Sequence, residues 1–462
     1  MGLPSLPMAS NSSIGSGWIL RPYHGTWVRL YRTHMDVVVL GLGYIGLPTA
    51  AMLANAGHHV TGVDVNPRLI KDILSGCGHL SELEVRQLVR AALSSGNLTV
   101  TTSLPQEAKA YIVCVPTPTI GHRPDLHFVD EGAKAVAAQI RTGDLIVFES
   151  TVPPGTVQNV IVRALVAAGK SPDRVHIAHC PERVIPGSIV KELRENARVI
   201  GGRRPEDAEL ARELYGSFCQ GEICMTDCTT AELVKVVENT FRDVNLAFAN
   251  ELALLSEALD VDVWEVIRLA NKHPRVNVLK PGPGVGGHCI PVDPNFLSNA
   301  NPFLTELIQT ARRVNERMPH VVVRLIEEMC PMRSGIKIAL LGAAYKADVE
   351  DARESPTSAV VALLNDRGHT TSIYDPLVRD FDNTLSPTIE DALTDTDATV
   401  LMTDHKVFRD IDPKAVAPLV RRKILIDTRN HLDRDAWSAA GFSVRTLGVA
   451  RLETALESPR TA

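Results

Sequence analysis

Short apolar runs alternate with helix-spaced stretches along most of this chain. Asp36 to Leu40 is β-branched and nearly all apolar, and a glycine turn separates it from a helix-compatible stretch, Thr49 to Asn55, that Gly57 closes. His59 to Val63 reads as a second strand. Further strands are predicted at Ala110 to Val115, Leu145 to Phe148, Val175 to Ala178 and Arg198 to Ile200, with helical patterns between them. Strands apolar on both faces and alternating with helices predict a doubly wound parallel sheet.

The texture changes near Thr230. Ala231 to Leu259 contains neither Gly nor Pro, and Val234, Val237, Phe241, Val244, Phe248, Leu252 and Leu255 recur at spacings of three and four. One long amphipathic helix follows, suited to a spine between domains, its stripe a candidate dimer interface. A Pro/Gly-rich loop runs from Lys280 to Pro294, with more helix to about Met329. A second α/β pattern then starts at Ile336, with strands at Ile338 to Leu341, Thr371 to Tyr374, Thr399 to Met402 and Ile424 to Ile426. Gly57-His58-His59 leads through a strand to Asp64, and Gly368-His369 leads through a strand to Asp375, so the two halves echo each other.

With 462 residues, more than one domain is expected. The net charge of -6, from 48 Lys+Arg against 54 Asp+Glu, gives no general attraction to nucleic acid or anionic lipid. No apolar run is long enough for a membrane span. Eight cysteines scattered through a long chain without a secretory leader fit free thiols in the cytoplasm. Cys219, Cys224 and Cys228 cluster too loosely for a zinc site to be preferred over ordinary thiols, and no metal is expected. Residues 1–34 lack periodicity and read as a disordered extension.

Gly41-Leu42-Gly43-Tyr44-Ile45-Gly46 places G-x-G-x-x-G between a strand and a helix. Gly41 permits the tight turn, Gly43 lets backbone approach a pyrophosphate, Gly46 allows close helix packing, and the free amides at the helix start hold phosphates. Asp64, 18 residues beyond Gly46, can accept from a ribose 2′-hydroxyl and would repel a 2′-phosphate, which selects NAD. Gly342-Ala343-Ala344 in the second half lacks this signature. The expected architecture is α/β: two doubly wound Rossmann-like domains joined by a long central helix and helical middle domain. The boundaries are 35–225 for the NAD-binding domain, 226–330 for the central helical and dimerisation domain, and 331–462 for the C-terminal domain.

Pro281 to Asp293 holds Gly282, Gly284, Gly286 and Gly287 ahead of His288-Cys289. Such a loop exposes amides and leaves room for a ligand, and its thiol is either an activated nucleophile or a buried packing cysteine. A dehydrogenase with a nucleophilic thiol traps an aldehyde, loses a second hydride and hydrolyses the thioester. On the long helix Lys235, Asn239 and Arg242 share a polar face, where they either stabilise oxygen charge or form a solvated stripe. Glu182 and Thr151 follow apolar strands at the functional edge of the sheet.

These blocks, with Leu47-Pro48, Glu149-Ser150-Thr151, Pro181-Glu182-Arg183, Glu232 to Glu251, Gly286-Gly287-His288-Cys289, Tyr345-Lys346 and Arg353-Glu354-Ser355, resemble the UDP-glucose/GDP-mannose dehydrogenase family from about Met35 onward. The resemblance implies a homodimer that oxidises C6 of a UDP-sugar to a carboxylate with two NAD+. Cys289 matches the nucleophile, Lys235 and Asn239 the oxygen-stabilising residues, Asp293 a water- or base-positioning residue, and Thr151 and Glu182 residues of thioester hydrolysis. It also implies cofactor contacts from Tyr44, Ile45, Arg68, Thr117, Thr151 and Arg353. Substrate contacts are implied from Glu182, Arg183, Arg242, Lys280, Gly286, His288 and Lys346, with Arg275 reaching a partner subunit's sugar. His288, the Arg183 to Gly187 sequence Arg-Val-Ile-Pro-Gly, and Asn271 to Asn277 look like the branch acting on UDP-N-acetyl-D-mannosamine, whose product feeds cell-envelope or capsular polysaccharide. UDP-N-acetylglucosamine and UDP-glucose are the rival substrates, and an NAD-binding redox sensor is the rival class.

Overall fold

The computed structural model describes residues 34–76, 82–184, 187–331 and 335–450, together with the backbone of 18–23 and 26–31. Most of the expected extension therefore lies outside the described residues; within it, Trp18–Tyr23 pairs antiparallel with Thr26–Tyr31.

The first domain is built on eight strands: β1 (Asp36–Leu40), β2 (His59–Val63), β3 (Leu98–Thr101), β4 (Ala110–Val113), β5 (Leu145–Phe148), β6 (His176–His179), β7 (Arg198–Gly202) and β8 (Ile223–Asp227). They lie in the order β8-β7-β6-β5-β4-β1-β2-β3. Strand order reverses between β1 and β4, so a crevice opens beyond the carboxyl ends of those two strands. The all-parallel expectation needs correction, because β7 pairs antiparallel with β6 through Ala178–Gly202 and His179–Gly201. After β6 the chain spends its residues on the loop carrying Glu182, leaving a helix of only 7 residues, Ile189–Glu195. That helix packs on helices Gly46–Asn55 and Leu83–Ser94, and the chain enters β7 from the carboxyl edge at which it left β6. Helix Pro205–Tyr215 then makes an ordinary crossover, and β8 runs parallel to β7. The pattern also passed over β3, where leucine and valine alternate with threonine, and β8, where three apolar residues precede Thr226-Asp227.

Helix α1 (Gly46–Asn55) begins at the last turn glycine. The long helix, α2 (Cys228–Ala258), spans 31 residues with Asp227 capping Thr230 N. Its predicted stripe is not its buried face. Phe241 is 69% exposed and Phe248 51%, while Thr240, Asp243, Ala247, Asn250 and Ala253 are buried. These small and polar residues pack on α4 (Glu306–Met329), where Arg312 Nη1 donates to Asp243 Oδ1 at 2.6 Å and Asn250 Nδ2 to Asn315 Oδ1 at 2.9 Å. The short α3 (Asp293–Ala300) follows the glycine loop that carries Cys289.

The second α/β domain contains β9 (Lys337–Leu341), β10 (Thr370–Tyr374), β11 (Ala398–Leu401), β12 (Ile424–Asp427) and β13 (Ser443–Thr446), all parallel, in the order β10-β9-β11-β12-β13. Its crevice opens between β9 and β11. Among the described residues, no helix is long and apolar enough to cross a membrane.

Candidate active site

The three turn glycines divide their labour as their spacing predicts. A Cβ on Gly41, whose φ is +85°, would stand 2.5 Å from the Cys114 carbonyl oxygen, and one on Gly46 would stand 1.8 Å from that of Gly41. Any side chain at either position breaks the turn. Gly43 faces open space, with nothing within 4 Å, which is the approach a pyrophosphate needs. Asp64 accepts from Leu42 N on Oδ2 and from Asn66 N on Oδ1, both at 2.9 Å. Each carboxylate oxygen retains a lone pair for a ribose hydroxyl, so the residues present fit NAD. Across the crevice, the Thr117 hydroxyl is buried without a partner. Arg68 is exposed on the helix beyond Asp64.

Cys289 sits where the glycine loop meets α3, and its carbonyl accepts from Val292 N and Asp293 N at 3.1 and 2.9 Å. The loop is pressed against the second domain: Gly287 N donates to the Arg353 carbonyl at 3.0 Å. A Cβ on Gly286 would stand 2.6 Å from the Glu354 carbonyl oxygen. Burial raises the Cys289 thiol to about 11, with Asp293 adding to the rise and Lys235 opposing it. The resting sulfur is therefore protonated. Asn239 Nδ2 donates to Asp293 Oδ2, which fixes the carboxylate under the loop. Burial lifts Asp293 to about 6 against the pull of Lys235 and of this hydrogen bond. Glu182 is likewise raised by burial, an effect Lys235 and Arg198 moderate. Partial burial and the Arg353 cation hold His288 down to about 4, hence neutral.

Cys289, Lys235, Asn239, Asp293 and Glu182 thus meet at one place, with His288 and Arg353 at its margin. Lys235 is the cation common to the thiol and both acids. Thr151 follows β5 on the same edge of the sheet. Arg242 belongs elsewhere: with Lys280, Pro281, Asp404 and Arg429 it lines a separate cavity of about 230 Å³ between the spine and the second domain. Arg183 is engaged by the spine, its Nε donating to Glu238 Oε2 at 3.1 Å and its Nη1 to the Ala197 carbonyl at 2.8 Å. Arg275 and Lys346 are exposed.

Sequence reasoning overlooked several residues here. Arg429 reaches Asp404 Oδ1 through Nε at 3.0 Å and Nη2 at 2.8 Å, and a Cβ on Gly282 would collide with it. Beneath the reactive centre, Glu149 accepts from Tyr215 OH at 2.7 Å, Cys114 Sγ at 3.0 Å and Thr49 Oγ1 at 3.2 Å. Arg198 lies 3.9 Å from the same carboxylate and stacks on the Tyr215 ring. An acid directly after the wholly apolar Leu145 to Phe148 was the available signal, since a carboxylate buried there must be satisfied. Tyr345, whose ring would lie 3.0 Å from a Cβ on Gly287, stood in a block that carries the resemblance but was given no role.

Comparison with known proteins agrees along the described domains. The sequence matches the UDP-glucose/GDP-mannose dehydrogenase family in its NAD binding domain over residues 35–219, its central domain over 229–317 and its UDP binding domain over 339–434. It is 44% identical over 419 residues to the UDP-N-acetyl-D-mannosamine dehydrogenase of Methanocaldococcus jannaschii, covering 89% of this chain and 96% of that one. It is 40% identical over 420 residues to the NDP-N-acetyl-D-galactosaminuronic acid dehydrogenase of Ralstonia nicotianae, covering 87% and 96%. The solved UDP-D-ManNAc dehydrogenase of Pyrococcus horikoshii superposes with a TM-score of 0.85 at 41% identity, covering 90% of this chain and 99% of that one.

Proposed function

Because this chain belongs to the UDP-glucose/GDP-mannose dehydrogenase family and is an NAD-dependent dehydrogenase, we propose that it oxidises UDP-N-acetyl-D-mannosamine at C6 to the uronate in two steps on Cys289. The observation that carries this reading is the convergence of a buried thiol with Lys235, the Asn239–Asp293 pair and Glu182.

Bound NAD+ supplies a hydride acceptor, once for the alcohol and, after exchange, once for the thiol adduct. Lys235 and Asn239 hold the C6 oxygen and stabilise the negative charge that grows on it. The Cys289 sulfur adds to the aldehyde carbon while its proton passes to the carbonyl oxygen, giving a thiohemiacetal. Loss of a hydride and the hydroxyl proton leaves a thioester. Glu182, raised by burial against the pull of Lys235 and Arg198, takes a proton from the attacking water. The C–S bond then breaks and the thiol is reprotonated. The Arg242, Lys280 and Arg429 cavity gives the diphosphate three cations to rest against. The exposed Val237, Phe241, Phe248 and Leu255 supply the apolar face of a homodimer.

Turnover measured side by side on the manno, gluco and galacto epimers of the UDP-N-acetylhexosamine tests the substrate. Two NADH per UDP-N-acetyl-D-mannosamine, and none with Cys289→Ala, is the expected result. Preference for another epimer rejects the sugar assignment, and unchanged turnover in the variant rejects the covalent route.

A further inference from the structure

One carboxylate outside this chemistry ties together the two binding sides of the first domain. Glu82 stands immediately before helix Leu83–Ser94 and receives three donors. The Tyr44 hydroxyl donates to Oε1 at 3.0 Å, Gly187 N to the same oxygen at 2.7 Å, and Ile189 N to Oε2 at 3.1 Å. Tyr44 belongs to the glycine turn, between Gly43, where phosphate must approach, and the first residue of α1. Gly187 and Ile189 lead into helix Ile189–Glu195, past whose end Asn196 Nδ2 donates to the Arg183 carbonyl at 3.5 Å and the Ala197 carbonyl accepts from Arg183 Nη1 at 2.8 Å, beside Glu182. Arg183 is itself bonded to Glu238 of α2, one turn from Lys235 and adjacent to Asn239. Pressing on the turn therefore presses on the loop that carries Glu182, through a single side chain.

The geometry points to Glu82 and Tyr44 as positioning residues that couple occupancy of the dinucleotide turn to the sugar-side loop. Tyr44 fits the part. Burial first, and then the neighbouring Glu82 charge, raise its phenol above the ordinary range, so it stays protonated and donates. The Tyr345 phenol, whose ring packs on Gly287 beside Cys289, lies within electrostatic reach of Tyr44. The coupling rests on the two-step reading above. That reaction requires NADH to leave and NAD+ to enter while the sugar stays, and the Glu82 contacts lie between the sides that hold the two ligands.

NADH and UDP-N-acetyl-D-mannosamine do not react with each other, so their linkage is measurable at equilibrium in the full-length protein. The affinity for NADH, followed by its fluorescence, should differ by about fivefold or more between protein with and without saturating UDP-N-acetyl-D-mannosamine. Tyr44→Phe keeps the ring and leaves Glu82 on the loop amides; whatever its affinity for NADH alone, the ratio of NADH affinities with and without the sugar nucleotide should fall to about one. Glu82→Ala should lose the linkage as well, and Glu82→Gln, which retains one carbonyl acceptor, should recover part of it. A purely structural role would weaken each ligand by the same factor whether or not the other is bound. Wild-type protein without linkage, or Tyr44→Phe with the wild-type factor, overturns the proposal. If another UDP-sugar proves to be the substrate, the same titration with that sugar tests the linkage independently of the sugar assignment. If Glu82→Ala fails to fold, Tyr44→Phe alone decides.

Discussion

The two α/β domains place an aspartate at the same point of the same motif and use it for opposite ends. Asp64 follows β2 and Asp375 follows β10, and each accepts from the glycine turn after the neighbouring strand. Asp64 takes one turn amide and one from Asn66, and its carboxylate remains half-open to solvent. Asp375 takes two turn amides, Ala343 at 2.7 Å and Ala344 at 2.9 Å, plus Leu377 N, Val378 N and His405 Nε2 at 3.0 Å, and is buried. His405 Nδ1 accepts from Asp348 N, so Nε2 carries the proton and donates. Five donors occupy the lone pairs that a ribose would need. A motif that reads as a second dinucleotide site by its strand and acid is closed by a histidine 30 residues away in sequence.

The sharpest test of that contrast is Asp375→Ala, which strands four amides and an imidazole N–H. It should cost about 3–5 kcal/mol in chemical or thermal unfolding, whereas Asp64→Ala should cost about 1 kcal/mol. Equal losses would erase the distinction. Acid titration of stability comes next. Burial alone would raise Asp375, but His405 and the backbone amides hold it down at about 2, below its ordinary 3.8. A depressed carboxylate stabilises the fold above the unfolded-state value. About 2 kcal/mol should therefore be present above pH 4 and vanish as pH falls from there through about 2, a dependence absent from Asp375→Asn. Asp64→Ala should instead raise KM for NAD+ by about thirtyfold. Gly43→Ala should raise it about tenfold while leaving the melting temperature nearly unchanged, because a methyl there meets nothing but the incoming phosphates. Ala343→Gly in the other turn should move no cofactor constant.

The legible parts of this molecule are those whose physics is local. A β-branched run, a glycine that must turn and an acid at the next strand end specify the first crevice from consecutive residues. The Cys289 loop announced itself by four glycines before a thiol, and Lys235 and Asn239 by helical spacing. Arg429, Asp404 and Glu82 were opaque because each acts through contacts with distant segments and sits in an unremarkable local pattern. The reversed β7 was opaque because its direction depends on where the preceding helix packs. The spine was read half correctly: its length and stripe were visible, but the stripe faces outward, since the inner face is held by Asp243, Asn250 and small residues that a hydrophobic count scores as solvent-facing.

A greasy seam between two helices tolerates slippage, because one methyl group is much like the next. The seam between α2 and α4 works as a keyed shaft: Asp243 on Arg312 and Asn250 on Asn315 match in one axial setting, and sliding by a turn would leave all four buried and unmatched. Asn250 has a second tooth, since its carbonyl oxygen takes Gly282 N at 2.9 Å at the root of the reactive loop. The axial setting of the shaft therefore sets the root of the segment that ends at Cys289, so damage far along the spine would show as a misplaced sulfur before it showed as an unfolded protein.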